Sequence, residues 1–477
     1  MQSNIPEFAI VGHPNEGKSS VVSTLAEDDS VRISATPGET IRCQTFTVTI
    51  DGNETIRFTD TPGFQNPKQT LQWMQEYQGE DELIVKMFMD SHRDNPDFKD
   101  DCELFKPIAN GAGIIYVVDG SRPIRNVDRA EMETLRLTGR PRLAIINCKE
   151  NETEYLDSWR NEFRKHFNSV RIFNAHRATY SERIELLQTL KSIDQEWQPA
   201  LESAIKAFIA DWQQRNTIVA DLICVTLEKC LTYSVSESLD KDSLESEIKI
   251  KLKQDYIKAI EKFENTAKQR IRKLFKHNIF NYDLPPQSII HEDLFSQRTW
   301  ELLGLTKRKL IIAGAMSGAA VAGAIDLMFG GGSLGIFMTI GGASGAGFAA
   351  FGGVDSLAKS KKLGKLFGKR DKVTVTSNRN IQYLFILLDR LLIYYAHIIN
   401  WAHGRRDYED QLSFVQKNKK IGFTDKWSSD DRKVCSNFFS AVHKNSDPKR
   451  ELARKELMER LQGKLLDISQ TYSKYWL

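Results

Sequence analysis

The residues best suited to chemistry lie near the start of the chain, in Gly12-His13-Pro14-Asn15-Glu16-Gly17-Lys18-Ser19, followed by Ser20. A glycine, a short variable stretch and then Gly-Lys-Ser is the spacing that a phosphate-cradling loop requires. Glycines let backbone N–H groups wrap phosphate oxygens, and a helix beginning there adds the positive end of its dipole. Lys18 bridges the terminal phosphates and the Ser19 hydroxyl ligates Mg²⁺. We therefore read Gly12, Asn15, Glu16, Gly17, Lys18, Ser19 and Ser20 as the lining of a nucleotide site, with Lys18 also stabilising charge during phosphoryl transfer.

A second motif, Asp60-Thr61-Pro62-Gly63, ends a β-branched run. A carboxylate at the end of such a strand holds Mg²⁺ in phosphate-transfer sites, and Gly63 can offer its N–H to a γ-phosphate. Read alone, the motif would be an ordinary Pro-Gly turn. Between the two motifs lies Thr36-Pro37-Gly38-Glu39-Thr40, a loop long enough to close over the γ-phosphate. Thr40 is the candidate for a second hydroxyl on the metal, so the expected Mg²⁺ set is Ser19, Thr40 and Asp60, and the catalytic set is Lys18, Thr40 and Gly63.

The elements that must position these groups alternate short apolar runs with helical stretches up to about residue 195. Strands are expected at 8–11, 44–50, 55–59, 114–118, 143–147 and 170–173, with a helix at 19–26, which is the pattern of a mostly parallel sheet covered by helices. Asp51-Gly52 turns the second strand into the third as an antiparallel hairpin. Beyond residue 195 the strand signal fades. Apolar residues at Leu244, Ile248, Leu252, Ile260, Phe263, Ala267, Ile271 and Leu274 mark one long amphipathic helix, whose Lys/Glu-rich remainder reads as a solvated face. The expected fold is thus an α/β nucleotide-binding domain with a mostly parallel sheet over 1–195, then an all-α region. That region divides into a helical part at 196–305, a glycine-rich hairpin with basic flanks at 306–372 and a C-terminal helical region at 373–477, which ends in a polar helical tail.

With PGxT ending at Thr40, DTPG at Asp60 and Val117-Val118-Asp119, residues 5–195 resemble the Era, TrmE and EngA branch of small bacterial P-loop GTPases. The whole chain is similar to bacterial proteins that join such a domain to a helical, glycine-rich domain of unknown function. The resemblance implies GTP and GDP as ligands, Mg²⁺ as cofactor and GTP hydrolysis as activity. It also implies a guanine-reading NKxD motif, which stands here as Asn147-Cys148-Lys149-Glu150, so Asn147 and Glu150 are the base-side candidates. Glu150 keeps the carboxylate that guanine donors need, while Cys148 cannot lay a lysine stem over the base. The family's SAK loop appears as Asn174-Ala175-His176, which makes Ala175 a further candidate. Where related GTPases place a water-orienting glutamine, this chain has Phe64, so slow turnover is expected and a change at Phe64 should matter less than one at Lys18. In the resembling branch an asparagine at the position of Asn15 helps bind K⁺, which makes K⁺ a candidate second cation; its plainer role is to satisfy its own turn.

Residues 311–353 hold 13 of the chain's 29 glycines and a single charge, Asp326, so they form a compositional island. Residues 310–329 would span about 30 Å as a helix, 330–333 would turn, and 334–353 would return. Small residues recur at Gly314, Gly318 and Ala322 and again at Gly341, Gly345, Ala349 and Gly353, which suits closely packed helices. Lys307-Arg308-Lys309 and Lys359, Lys361 and Lys362 flank the island. Two readings stand: a hairpin entering membrane lipid from the cytoplasmic face, and a glycine-packed hairpin inside a protein core. The apolar helix from 381 to 401, broken by Asp389-Arg390, reads as a buried core helix in preference to a further span.

Charge is nearly balanced at +3, so nucleic acid is not indicated by the whole molecule, and no KH-type clamp or RNP-like strand is found in 196–477. The six cysteines show no CxxC pair, which fits a reduced compartment, and residues 1–7 carry no secretory signal. The expected location is the cytoplasm, with the inner membrane face as the site of any lipid contact. Three functions follow: a GTPase switch coupled to a helical domain, a soluble GTPase acting on ribosome or RNA, and a low-turnover nucleotide-binding scaffold. A homodimer or a protein partner stays open. The long stretch 64–111, directly after DTPG, is read in two ways, as the lever between nucleotide and helices or as a passive helical elaboration of its own domain.

Overall fold

The computed structural model describes residues 5–13, 16–26, 42–50, 53–148, 154–173, 180–238, 245–275, 288–306, 309–310, 313, 358–361, 372–376, 380–399, 420–444 and 447–471. The N-terminal elements are β1 (Glu7–Val11), α1 (Lys18–Ala26), β2 (Gln44–Ile50), β3 (Asn53–Asp60), α2 (Pro67–Glu76), α3 (Ile84–His92), α4 (Lys99–Ala109), β4 (Gly113–Asp119), α5 (Asn126–Leu137), β5 (Arg142–Asn147), α6 (Leu156–Phe163), β6 (Ser169–Phe173) and α7 (Tyr180–Ile193). The sheet runs β2-β3-β1-β4-β5-β6, antiparallel only at the β2–β3 hairpin. All six expected strands are present, each within two residues of its expected ends. β1, β4 and β5 were legible because a parallel strand buried on both faces reads as a continuous apolar run, and β2 and β3 because apolar residues alternate with polar ones along the antiparallel hairpin.

Alternation along β1 sorts the two layers. Phe8 and Ile10 face α1, α7 and the start of a long helix, α8 (Gln198–Thr232), whereas Ala9 and Val11 face α2 to α6. The stretch 64–111 forms α2, α3 and α4, and its Phe64, Met74, Val85, Phe88, Leu104 and Phe105 share a core with Tyr116 and Val118 of β4. It packs on β1 and α5 of its own domain, so its apolar residues complete the sheet's second layer. That packing is what a helical elaboration of its own domain requires.

The second core gathers α8 from Trp212 onward, α9 (Glu245–Leu274), α10 (Gln297–Leu302), α11 (Ile381–Ile399), α12 (Ser429–Lys444) and α13 (Asp447–Thr471). Leu201, Ala204 and Ile205 of α8 belong instead to the sheet's core, so the two cores meet within one continuous helix. The reading of the last region as a polar tail is incomplete: Phe438, Phe439, Leu457, Leu461 and Leu465 of α12 and α13 are buried against α8 and α11. The expected helical region is present, with one small sheet added to it. β7 (Ser234–Ser238) pairs antiparallel with β9 (Lys372–Thr376), which pairs antiparallel with β8 (Ala358–Lys361). These strands are short and largely polar, with valine alternation too brief to show as a periodic signal.

α11 is the centre of this core. By length and composition it could cross a bilayer, but 89% of its most apolar stretch is buried in protein, as expected for a core helix. Its two charges are consumed by the fold. Asp389 accepts from Gly304 N at 2.7 Å, Thr424 N at 2.8 Å and Thr424 Oγ1 at 2.9 Å. Arg390 donates to Glu264 at 2.8 Å and to the carbonyls of Ile290 at 2.9 Å and Glu292 at 2.8 Å. Glu264 also pairs with Lys268 at 2.7 Å, so this part of the α9 polar face is buried where a solvated face was expected.

Of the glycine-rich hairpin, residues 314–353 lie outside the described residues. Leu310 and Ala313 at its root are buried in the second core, and Lys309 of the basic flank pairs with Asp425 at 2.8 Å.

Candidate nucleotide-binding site

β1 is buried to Val11 and delivers the chain to Gly12 at the carboxyl end of the sheet, where φ is +149°. A Cβ at Gly12 would lie 2.2 Å from the Val117 carbonyl oxygen, so only glycine lets the loop pass β4. Gly17, with φ at +93°, lies equally close to the side-chain nitrogen of Asn147, which a Cβ would approach to 2.2 Å. Asn147, at the end of β5, donates from Nδ2 to the Glu16 carbonyl at 3.1 Å. An expected base-side residue thus holds the phosphate loop in shape.

α1 begins at Lys18, so its first-turn N–H groups, which have no partner within the helix, open toward this loop. Lys18 is 8% exposed, and its Nζ donates to the carbonyls of Gly12 at 3.0 Å and His13 at 3.1 Å. Burial lowers its pKa, against the opposing pull of Asp60, Glu131 and Glu16. An ammonium curled over neutral carbonyls at a helix N-terminus suits a polyanion.

β3 brings the second motif alongside. Asp60 stands in register with Ile10 of β1, and the buried Thr61 hydroxyl donates to the Ile10 carbonyl at 2.8 Å. The Ser19 hydroxyl donates to Asp60 Oδ2 at 2.7 Å, so side chains 41 positions apart converge. A hydroxyl and a carboxylate are hard oxygen donors, and Mg²⁺ commonly takes one or two carboxylates with the remainder from phosphates and water; this pair fits that ion. Ser20 is buried and Gly63 lies half-buried in the turn after β3. Phe64 is 5% exposed and meets the Phe105 ring edge-on at 5.9 Å, so it is a core residue as well as the occupant of the position where related GTPases place a glutamine. Asn15, Thr40, Glu150 and Ala175 lie outside the described residues.

The structure adds a charged layer behind the loop. His13 Nδ1 lies 3.1 Å from Glu131 Oε1, and the Tyr116 hydroxyl donates to Glu131 Oε2 at 2.7 Å. Glu16 accepts from the Asp119 N–H and from Arg122 Nε, the latter at 2.7 Å. Arg122 also grips Asp128 of α5 at 2.8 and 3.0 Å. These partners are over 100 positions from the loop, and no short motif announces them.

Comparison with known proteins agrees with this geometry. Residues 7–148 match the family described as "50S ribosome-binding GTPase", and residues 160–466 match "Domain of unknown function (DUF3482)". The second match begins inside α6, so it includes β6 and α7 of the sheet domain. The "Probable GTP-binding protein EngB" of Mesoplasma florum is 37% identical over 65 residues, 13% of this chain and 31% of that protein. The chain thus spans under a third of the curated relative it matches. Era in complex with MgGDPNP and 16S ribosomal RNA aligns over 57% of this chain and 89% of its own, at 13% identity and a TM-score of 0.29. A mutant of S. thermophilus NFeoB bound to GMPPNP aligns over 56% and 91%, at 17% identity and a TM-score of 0.26. Both likenesses are faint, and the assignment rests on the family models and the site. A P-loop GTPase domain of mostly parallel sheet thus precedes a helical region, and the chain belongs to the family described as "Domain of unknown function (DUF3482)".

Proposed function

We propose that this chain binds GTP and GDP at the carboxyl ends of β1, β3 and β5 and hydrolyses GTP to GDP and phosphate. One observation carries the reading: Lys18 sits curled over its own loop at the start of α1, beside the Ser19–Asp60 pair at 2.7 Å. Water would attack the γ-phosphorus as its bond to the β–γ bridging oxygen breaks, and Lys18 and the Gly63 N–H would stabilise the charge that spreads over the phosphoryl oxygens. Ser19 and Asp60, with Thr40, would hold Mg²⁺, which when bound neutralises phosphate charge. Phe64 faces the core and cannot orient water, so turnover is slow unless K⁺ or a partner adds positive charge. Glu150 would supply the guanine preference, and PGxT with DTPG supports placement in the Era, TrmE and EngA branch.

The nucleotide state would pass to the helical region through α8. This helix packs on β2 and β3, the hairpin that joins Thr40's loop to Asp60, and then runs into the second core. Hydrogen exchange across 198–232, compared between GDP and a non-hydrolysable GTP analogue, tests the coupling; protection changes confined to residues 30–66 would refute it. Phosphate release from GTP and from ATP tests the enzyme reading. Equal or better adenine binding overturns the guanine assignment, and tight GTP binding with no turnover leaves the scaffold reading. The ribosome-directed alternative rests on the family description alone. Lipid contact by 310–353 has less room than expected: with Leu310 and Ala313 in the protein core, residues 314–329 would reach only about 24 Å as a helix. Fractionating chains with and without 306–362 decides it.

A further inference from the structure

Glu16 lies inside the phosphate-binding loop, two positions before Lys18, and is 4% exposed. A buried carboxylate there is unfavourable twice over: it has lost its hydration, and it stands beside the place where a polyanion would bind. The fold answers with Arg122 from the loop after β4. Arg122 Nε meets Glu16 Oε1 at 2.7 Å while its other nitrogens reach Asp128 at 2.8 and 3.0 Å. The guanidinium lies 5.2 Å from the centre of the Trp159 ring on α6, and Trp159 Nε1 donates to the Arg122 carbonyl at 2.8 Å. The other groups of Glu16 tie the loop to the neighbouring strands, its second carboxylate oxygen accepting from Asp119 N and its carbonyl from Asn147 at 3.1 Å.

We propose that Arg122 is a positioning residue for nucleotide binding, acting by cancelling the charge of Glu16 and so holding the phosphate loop over the ends of β4 and β5. This rests on the nucleotide-binding reading given above. The charged and titratable groups around Glu16 are His13 and Lys18 on its own segment, Tyr116 and Asp119 of β4, Arg122 and Arg125 of the next loop, and Asp128 and Glu131 of α5. Arg125 stands 3.9 Å from Glu16 and is engaged with Asp128, so it replaces Arg122 poorly. Burial pushes the Glu16 carboxyl upward and Arg122 holds that rise down. Without Arg122 the carboxylate either repels the phosphates or takes up a proton. Since bound phosphates favour the protonated form, affinity in that variant strengthens as pH falls.

The test is titration of the purified full chain with a fluorescent GDP analogue, with thermal unfolding of each nucleotide-free variant as a control. Arg122→Ala weakens binding by roughly tenfold or more at about pH 8 and regains most of it near pH 6. Asp128 keeps its bonds from Arg125, and Arg122→Gln serves as a second neutral variant with the same expected sign. Arg122→Lys retains the charge and shows little added pH dependence. The double variant Glu16→Gln with Arg122→Ala recovers affinity and loses the pH dependence, because the amide still accepts from Asp119 N without charge. A neutral Arg122 variant that binds like wild type overturns the proposal. So does a loss equal at both pH values and unrelieved by Glu16→Gln, which marks Arg122 as structural only. Wild-type protein that binds no guanine nucleotide at either pH instead refutes the nucleotide reading itself.

Discussion

The two cores both bury charge among apolar side chains, and they use it differently. Around α11, protein groups consume each charge: Asp389 accepts three hydrogen bonds, and Arg390 spreads over Glu264 and loop carbonyls. These charges clip loops to a helix. At the end of β1, Lys18 rests on two neutral carbonyls at a helix N-terminus, beside a hydroxyl–carboxylate pair. A charge whose hydrogen-bond partners come from distant loops of the same chain serves the fold, whereas Lys18, resting on carbonyls of its own loop at a helix N-terminus, stands where a polyanion would meet it.

The comparison is broken most directly at Arg390. Arg390→Ala should cost about 3–5 kcal/mol of stability in the helical region, since Glu264 loses a buried partner, while GDP affinity shifts less than about twofold. Denaturant unfolding beside a nucleotide titration checks it, and an equal loss of binding would erase the distinction. Phe64→Ala sharpens the boundary of the site: a buried ring removed from the Phe105 contact should cost about 3–4 kcal/mol in the same unfolding experiment. Turnover per folded molecule should fall far less than in Lys18→Ala. Lys18→Ala itself should weaken GDP and GTP by about a hundredfold or more, near 3 kcal/mol, and leave the melting of nucleotide-free protein almost unmoved.

The smallest effect is on pH dependence. Burial pushes the Asp389 carboxyl from the ordinary aspartate value of 3.8 up to about 6. A raised carboxyl means that the native chain holds the proton more tightly than the unfolded one. Its contribution is therefore greatest below about pH 4 and is lost as pH rises toward 6, by at most about 3 kcal/mol. Asp389→Asn should remove that slope from urea midpoints measured between about pH 4 and 7, and an unchanged slope would place the titration elsewhere.

How much was legible differs by element. The loop from Gly12 to Ser19, the DTPG turn and the six strands stood out because their signals are local: a fixed spacing, or an apolar run whose length matches a buried strand. α11 was readable as a core helix, since mid-helix charges fit a protein interior better than lipid. The polar sheet was not, because β7 and β9 are separated by more than 130 residues and each contributes only five. Glu264 and Lys268 looked solvated because helical periodicity gives a face and says nothing of an arginine arriving from another helix.

By itself the amino-acid sequence determined the chemistry available at the N-terminal site. Lys18, Ser19 and Asp60 come with motifs that specify the backbone around them, and glycine is demanded at Gly12 and Gly17 by conformations other residues rarely adopt. Only the tertiary structure decided that Glu16 is balanced by Arg122, that Phe64 is core, and that α8 serves both cores. The reason is one of range. Turn geometry and alternation are enforced between neighbours along the chain, whereas the pairing of a buried charge depends on which distant groups the packed layers bring within about 3 Å.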